Sequence, residues 1–195
     1  MIERYSLPEM AAVWSEEHRL AVWQEIETLV VEAWAAQGVA PAAAATALRA
    51  APEVDPAAWK AREAETGHDL AAFVDVLAAS VETGGEWVHY GLTSSDVLDT
   101  ALAVLLEDAG DLLLGRLAAL FEALRGLAEE HRDTLMIGRT HGMWAEPTTF
   151  GLMLAGWAFE VQRNHERLRR AVTNGLAEQA ATATRWGAHV CQWSS

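Results

Sequence analysis

The stretch Thr93-Ser94-Ser95-Asp96-Val97-Leu98-Asp99-Thr100-Ala101 opens the longest periodic run of the chain and decides its fold class. Val97, Leu98, Ala101, Val104, Leu105 and Leu112 carry a helical apolar period onward to Leu127, with no proline for more than thirty residues. At 1.5 Å per residue such a helix reaches roughly 50 Å, far beyond the globular average. Ser94 or Ser95 starts it, and Gly110, Gly115 and Gly126 are the points where it would kink or break.

Helical signals dominate on both sides of this run, and convincing alternating strand patterns are absent. Ser6 and Glu9 have capping-box spacing, with Pro8 in the first turn. Ser15 can cap a second helix with Trp23, Ile26, Val30, Ala33 and Trp34 on one face, which Gly38 and Pro41 end. Pro41 opens an alanine-rich segment that Pro52 closes, and Asp55-Pro56 restarts the chain as an N-cap and N1 proline. Leu70, Phe73, Val74, Leu77, Ala78 and Val81 then repeat at helical spacing up to the turn Thr83-Gly84-Gly85. Downstream, Thr134 to Gly138 reads as a short extended connection. A third long helix begins near Thr148, buries Phe150, Leu154, Trp157 and Val161, and finishes in Arg163, Arg167, Arg169 and Arg170, whose charge suits a helix C-terminus. The fold class is all-α. Apolar stripes this long exceed what one small domain covers, so homo-oligomerisation is expected.

Composition narrows the function classes. A net charge of −14 over 195 residues argues against a duplex nucleic-acid binder. A small anionic substrate remains compatible, because a few arginines and helix N-termini bind phosphate or carboxylate inside an acidic protein. Cys191 is the single cysteine, so there is no intrachain disulfide and no thiolate metal site, and no histidine pair has the i, i+4 spacing of a zinc motif. No apolar run spans a bilayer, and Met1-Ile2-Glu3-Arg4-Tyr5 lacks the regions of a secretory signal, so a cytoplasmic protein without membrane attachment is expected.

Four places gather chemistry. Arg4-Tyr5 sets a cation beside a hydroxyl, although alone such a pair is more often solvated and packed. Gly67-His68-Asp69 joins two helices, where Asp69 could simply cap the second. Trp87-Val88-His89-Tyr90-Gly91-Leu92-Thr93-Ser94-Ser95 brings three small hydroxyls to the mouth of the long helix, where unpaired N–H groups attract an anion. One serine there would suffice as an N-cap. Gly138-Arg139-Thr140-His141-Gly142 places a histidine, the side chain whose ordinary pKa lies nearest neutrality, between two glycines that allow close backbone approach. His18, His131, His165 and His189 have no such context and read as structural or solvated.

The 87–101 stretch and Gly138-Arg139-Thr140-His141-Gly142-Met143-Trp144-Ala145-Glu146-Pro147-Thr148-Thr149-Phe150-Gly151 resemble the corresponding motifs of adenylosuccinate lyase, in the fumarase/aspartase superfamily. The resemblance covers Met1 to about Arg170. Related lyases carry a Ser-Ser-Asn-Asp or Ser-Arg-Asn-Asp element at the first stretch and lack Ala-Glu-Pro-Thr-Thr after the histidine, which separates this chain from them. The resemblance implies an N-terminal helical domain over 1–93, the first long helices of a central bundle over 94–170, and a divergent tail over 171–195 that a frameshift or genuine divergence would produce.

It further implies elimination of fumarate from adenylosuccinate, giving AMP, and from the succinyl-carboxamide ribotide of purine biosynthesis, without metal or organic cofactor, in a homotetramer. His141 corresponds to the general acid and His68 to a second catalytic histidine. Arg4, Tyr5, Gly67, His68, Asp69, His89, Thr93, Ser94 and Thr140 correspond to substrate-binding positions, with Gly67 standing where the family usually has a basic residue. The family's base is a serine within Ser-Ser-x-Met-Pro-x-Lys-x-Asn, an element these residues do not contain, so this chain is expected to be inactive alone. A non-catalytic helical scaffold is the alternative of a different class, and another fumarate-releasing lyase a third reading.

Overall fold

The computed structural model describes the backbone of residues 3–193 and the side chains of residues 4–173. Its helices are α1 (Pro8–Val13), α2 (Glu16–Ala36), α3 (Ala42–Arg49), α4 (Pro56–Thr66), α5 (Asp69–Ala79), α6 (Ser94–Glu130) and α7 (Phe150–Trp193), with one hairpin, β1 (Leu135–Thr140) and β2 (Met143–Thr149), between the last two. The all-α class holds, and the hairpin is the only sheet among the described residues. Packing divides the chain into two compact units, Met1–Asp108 with Leu176–Ser195, and Ala109–Gly175, with boundaries inside α6 and α7.

Local chemistry starts and stops the helices of the first unit. The Ser15 hydroxyl accepts from His18 N at 3.1 Å, and Asp55 caps α4 through Ala57 N at 3.1 Å with Pro56 in the first turn. The N-cap of α1 is Leu7, one residue after the expected Ser6, because Pro8 takes the first helical position. Along α2 the buried set is Leu20, Trp23, Glu27, Thr28 and Val31. Ala33, expected on that face, is exposed, and Val30 is only partly covered.

Trp23 is the hub of this unit. It meets Trp59 of α4 edge-on at 6.2 Å and Phe73 of α5 at 5.4 Å, and the Arg19 guanidinium lies over both tryptophans. Leu70, Phe73 and Leu77 of α5 are buried as their spacing predicts, joined by Ala72. Trp59 Nε1 donates to the Asp69 carbonyl at 2.9 Å, which ties the α4–α5 junction to the core. Gln24 reaches the other side, donating to Pro52 O and accepting from Val54 N, both at 3.1 Å.

α6 runs unbroken, its 37 residues giving roughly 55 Å. Gly110 does not break the helix. It leaves room for Val172 of α7, which a Cβ there would strike. The hairpin returns the chain to the end of α6, where Phe150 N donates to Thr134 O and Gly151 N to His131 O, both at 2.9 Å. The extended connection expected over 134–138 is thus the first strand of a paired ribbon. Alternation failed to signal it because neither face is buried in this unit, Leu135 being 81 % exposed. α7 starts two residues after the expected Thr148 and buries Leu154 and Ala158, whereas Trp157 is half exposed. It does not end at the arginines. Glu166 accepts hydrogen bonds from Arg169 and Arg170, which hold its carboxyl down at about 2. Trp186, His189, Cys191 and Trp193 lie outside the described side chains, as does most of the expected tail over 171–195.

Candidate functional site

Two histidines stand apart from every other residue on backbone geometry alone. Among the described residues, His89 (φ +63°) and His141 (φ +52°) are the non-glycine positions in the left-handed region. That conformation costs an L-residue about 1–2 kcal/mol and persists only where surrounding structure over-determines it. Both lie in motif stretches singled out above.

His141 and Gly142 (φ +75°) are the two central residues of the β-turn that joins β1 to β2, with Thr140 opposite Met143. Positive φ at both positions defines a type I′ turn, whose twist matches antiparallel strands and whose second position favours glycine. The register slips between Ile137 and Arg139, where a Cβ on Gly138 would lie 2.7 Å from Glu146 O. The consequence is an exposed imidazole at the hairpin tip, with no hydrogen-bond partner among the described residues. Thr140 is exposed beside it.

His89 is held quite differently. Its backbone N–H donates to Glu27 Oε2 at 2.7 Å and its Nδ1 lies 2.7 Å from Glu27 Oε1. Glu27 is fully buried in the middle of α2. Seven residues further along the same helix, Trp34 Nε1 donates to Tyr90 O at 3.1 Å and packs edge-on against the Tyr90 ring at 5.9 Å. α2 thereby anchors the turn before α6 at two points.

The mouth of α6 follows at once. Thr93 N donates to Asp96 Oδ2 at 2.7 Å, the reaching-back half of a capping box, and Asp96 N bonds Thr93 O at 3.0 Å. The cap therefore uses Thr93 and Asp96. The Ser94 and Ser95 hydroxyls have no hydrogen bond within the chain among the described residues, and the first-turn N–H groups with the positive dipole end lie beside them.

At the α4–α5 junction Gly67 is a left-handed C-cap at φ +65°, and His68 has the extended backbone of an N-cap. His68 Nδ1 accepts from Ala71 N at 3.3 Å, so the cap is His68, and not Asp69, which already has helical geometry. Asp69 Oδ1 stands 3.3 Å from the same ring nitrogen. Arg4 and Tyr5 form an exposed 3-10 turn with the guanidinium 4.7 Å from the ring centroid.

The structure thus brings together His89, Thr93 and Ser94 in one turn, His68 with Asp69, Arg4 with Tyr5, and Thr140 with His141. Within the first unit no hydrogen bond or ion pair among the described residues links its three groups. Of the histidines set aside, His18 pairs with Asp108 at 2.9 Å and His131 packs on Phe150 at 5.0 Å. Among the described residues no group of three or more His, Cys, Asp or Glu side chains gathers as a metal site requires. Sequence reading missed Glu27 and Asp96. Glu27 had a signal, since it falls in line with Leu20, Trp23, Val31 and Trp34 at helical spacing, a carboxylate inside an apolar stripe.

Comparison with known proteins covers almost the whole chain. Residues 3–191 match the model of a family described as Lyase. The adenylosuccinate lyase of Bacillus subtilis is 47 % identical over 171 residues, which is 88 % of this chain and 40 % of the relative. That of Synechocystis sp. is 48 % identical, over 87 % of this chain and 39 % of the relative. Among solved structures, the 3-carboxy-cis,cis-muconate lactonizing enzyme of Pseudomonas putida superposes with a TM-score of 0.80 at 32 % identity, over 85 % of this chain and 39 % of that one. A fumarate lyase from Mesorhizobium sp. BNC1 gives 0.76 at 31 %, over 83 % and 39 %. The chain spans about 40 % of the length of the curated relatives it matches.

Proposed function

Because this chain belongs to that lyase family, within the fumarase/aspartase superfamily, we propose that it supplies the proton donor and part of the substrate site for eliminating fumarate from adenylosuccinate, giving AMP, and from the succinyl-carboxamide ribotide of purine biosynthesis. The observation that carries this reading is the 47 % identity to the Bacillus subtilis enzyme over 171 residues. A continuous stretch of that length within 195 residues necessarily includes His68, the turn before α6 and the hairpin tip.

β-Elimination removes a proton beside a carboxylate and delivers one to the departing nitrogen, and each transfer needs a positioned group. His141 suits the delivery. Its ring is exposed on a fixed turn, no described side chain competes for it, and solvent can recharge it. Ser94, with its unengaged hydroxyl, and the first-turn N–H groups of α6 suit an anionic group of the substrate. Thr93 and Thr140 stand beside these two positions. Arg4 with Tyr5 suits the nucleotide end, and His68 stands beside Asp69 as the second histidine. No base is assigned among these residues. Carbanion formation beside a carboxylate therefore awaits a group outside them, and the chain alone is proposed to be inactive.

Homo-oligomerisation belongs to the same reading. Leu106, Leu113, Leu120 and Leu127 are exposed at seven-residue spacing along α6, a stripe suited to helix–helix packing. The division into an N-terminal helical domain over 1–93, bundle helices over 94–170 and a separate tail is proposed with it. No described helix is long and apolar enough to cross a membrane.

The test offers adenylosuccinate, argininosuccinate and malate to the chain combined with the remaining part of the Bacillus subtilis relative, and measures fumarate. Turnover confined to adenylosuccinate is expected. Turnover of argininosuccinate or malate instead would move the chain to another lyase, and a folded complex that releases no fumarate from any would favour the scaffold.

A further inference from the structure

Glu27 is a charged residue with no role in the reaction described so far, and its position is costly. It lies in the middle of α2, fully buried, on the stripe that carries Leu20, Trp23 and Val31 into the core. A carboxylate removed from water needs donors that replace its hydration. Among the described residues His89 is its only partner: the backbone N–H donates to Oε2, and ring Nδ1 lies against Oε1, each at 2.7 Å.

A role in fastening the turn does not account for this arrangement. Trp34 already fastens it, through the bond to Tyr90 O at 3.1 Å and through its ring, which stands 3.3 Å from where a Cβ on Gly91 would lie. What Glu27 adds is control of one ring. We propose that Glu27 is the positioning residue of His89, keeping the imidazole proton on Nδ1 so that Nε2 faces outward as a hydrogen-bond acceptor for a hydroxyl or N–H of the ligand. An ionised carboxylate only accepts, so the nitrogen that faces it must donate, and the other nitrogen of the neutral ring carries the lone pair. The same logic fixes imidazole tautomers wherever a buried carboxylate backs a histidine. His89 retains 23 % of its side-chain exposure, and its Nε2 has no partner among the described residues. The left-handed backbone that lets both donors of one residue end on one carboxylate is retained despite its cost.

This assignment also separates His89 from His68. In His68, Nδ1 accepts from Ala71 N–H at 3.3 Å and also stands 3.3 Å from Asp69 Oδ1, so no single neighbour fixes that ring's tautomer.

What Nε2 meets rests on the lyase reading above, but how the ring is held does not, and the two are tested apart. Long-range ¹H–¹⁵N spectra of the imidazoles, recorded on the chain at alkaline pH where the rings are neutral, report the tautomer directly. The wild-type His89 signal is expected to show Nδ1 protonated and Nε2 bare. Glu27→Leu is expected to return the ring to the Nε2–H form that free imidazole side chains prefer. Glu27→Gln has one carbonyl oxygen for two donors, so it should give a mixture while keeping the fold. Trp34→Phe loosens the same turn and should leave the tautomer unchanged. An Nε2–H form in the wild-type chain, measured before any variant is made, would overturn the proposal, and so would an unchanged tautomer in a folded Glu27→Gln chain. Absence of fumarate release in the substrate assay would remove the lyase reading and leave this result standing.

Discussion

The two units of this chain are both helical and end in different states. Between Leu20 and Ala101 one continuous core gathers Trp23, Trp59, Phe73, Leu70, Leu77 and Val97, and the helices that supply it mostly turn their apolar sides inward. Between Ala109 and Gly175 only Ala109, Leu154 and Ala158 among the described hydrophobic residues are buried, while Trp144, Phe159, Leu152, Trp157 and Leu120 are exposed. Short helices fold back on one another and close a core. Long helices joined by a projecting hairpin present stripes that only further helices can cover. Exposed patches of that extent mark interaction surfaces, and in an isolated chain they promote association. The first unit is organised around its own interior, and the second around cover that it does not provide.

Mutations should respond to that contrast. The largest effect expected is chemical and falls in the open unit: His141→Ala, in an enzyme assembled from this chain and its complement, should lower turnover by about 10² to 10⁴, the usual worth of a general acid. Its thermal midpoint should not move, because the ring is exposed and unpartnered. Turnover near normal would remove the assignment. The largest stability effect falls in the closed unit. Trp23→Ala should cost about 3–5 kcal/mol by denaturant titration, since it empties the hub between Trp59 and Phe73. Trp157→Ala should stay within about 0.5 kcal/mol in the chain alone. Equal losses at the two tryptophans would break the comparison.

Smaller effects sharpen it at the mouth of α6. Asp96→Ala removes the acceptor of Thr93 N–H and should cost about 1 kcal/mol. Ser94→Ala should change stability less than that while weakening substrate binding, measured as KM in the assembled enzyme. A stability loss at Ser94 with unchanged KM would make it a cap and nothing more. The smallest effect concerns α7. The Arg169 and Arg170 hydrogen bonds hold the Glu166 carboxyl at about 2, below its ordinary value. A lowered folded value means that the contribution is present above the unfolded pKa and is lost as pH falls through about 2. The exposed pair is screened, so Glu166→Gln should flatten the acid limb of the helical signal only slightly.

How much of this was legible in sequence follows the same division. Helix starts that depend on neighbouring residues, Ser15 and Asp55-Pro56, were readable, because capping is local chemistry. So was the centre of the α5 face, where Leu70, Phe73 and Leu77 are buried, although Val74 and Ala78 are only partly covered and Val81 lies beyond the helix. The hairpin was not, because its strands bury no face and so leave no alternation to read. The apolar period places Trp157 on a core face, yet it is half exposed, since period identifies a face without identifying what covers it. At the candidate site, the histidines and hydroxyls were visible as motifs, but the residues that hold them were not. Glu27 lies 62 positions from His89, and nothing in linear order couples a carboxylate in a helix to a distant turn.

The most direct measurement is fumarate release from adenylosuccinate by the purified chain, alone and mixed with a separately expressed complement from the Bacillus subtilis relative, with size in solution recorded for both. The account predicts no useful release and self-association for the chain alone, release on mixing, and loss of that release with His141→Ala. Robust release by the chain alone as a well-behaved monomer, or none from a folded mixed complex, would contradict it.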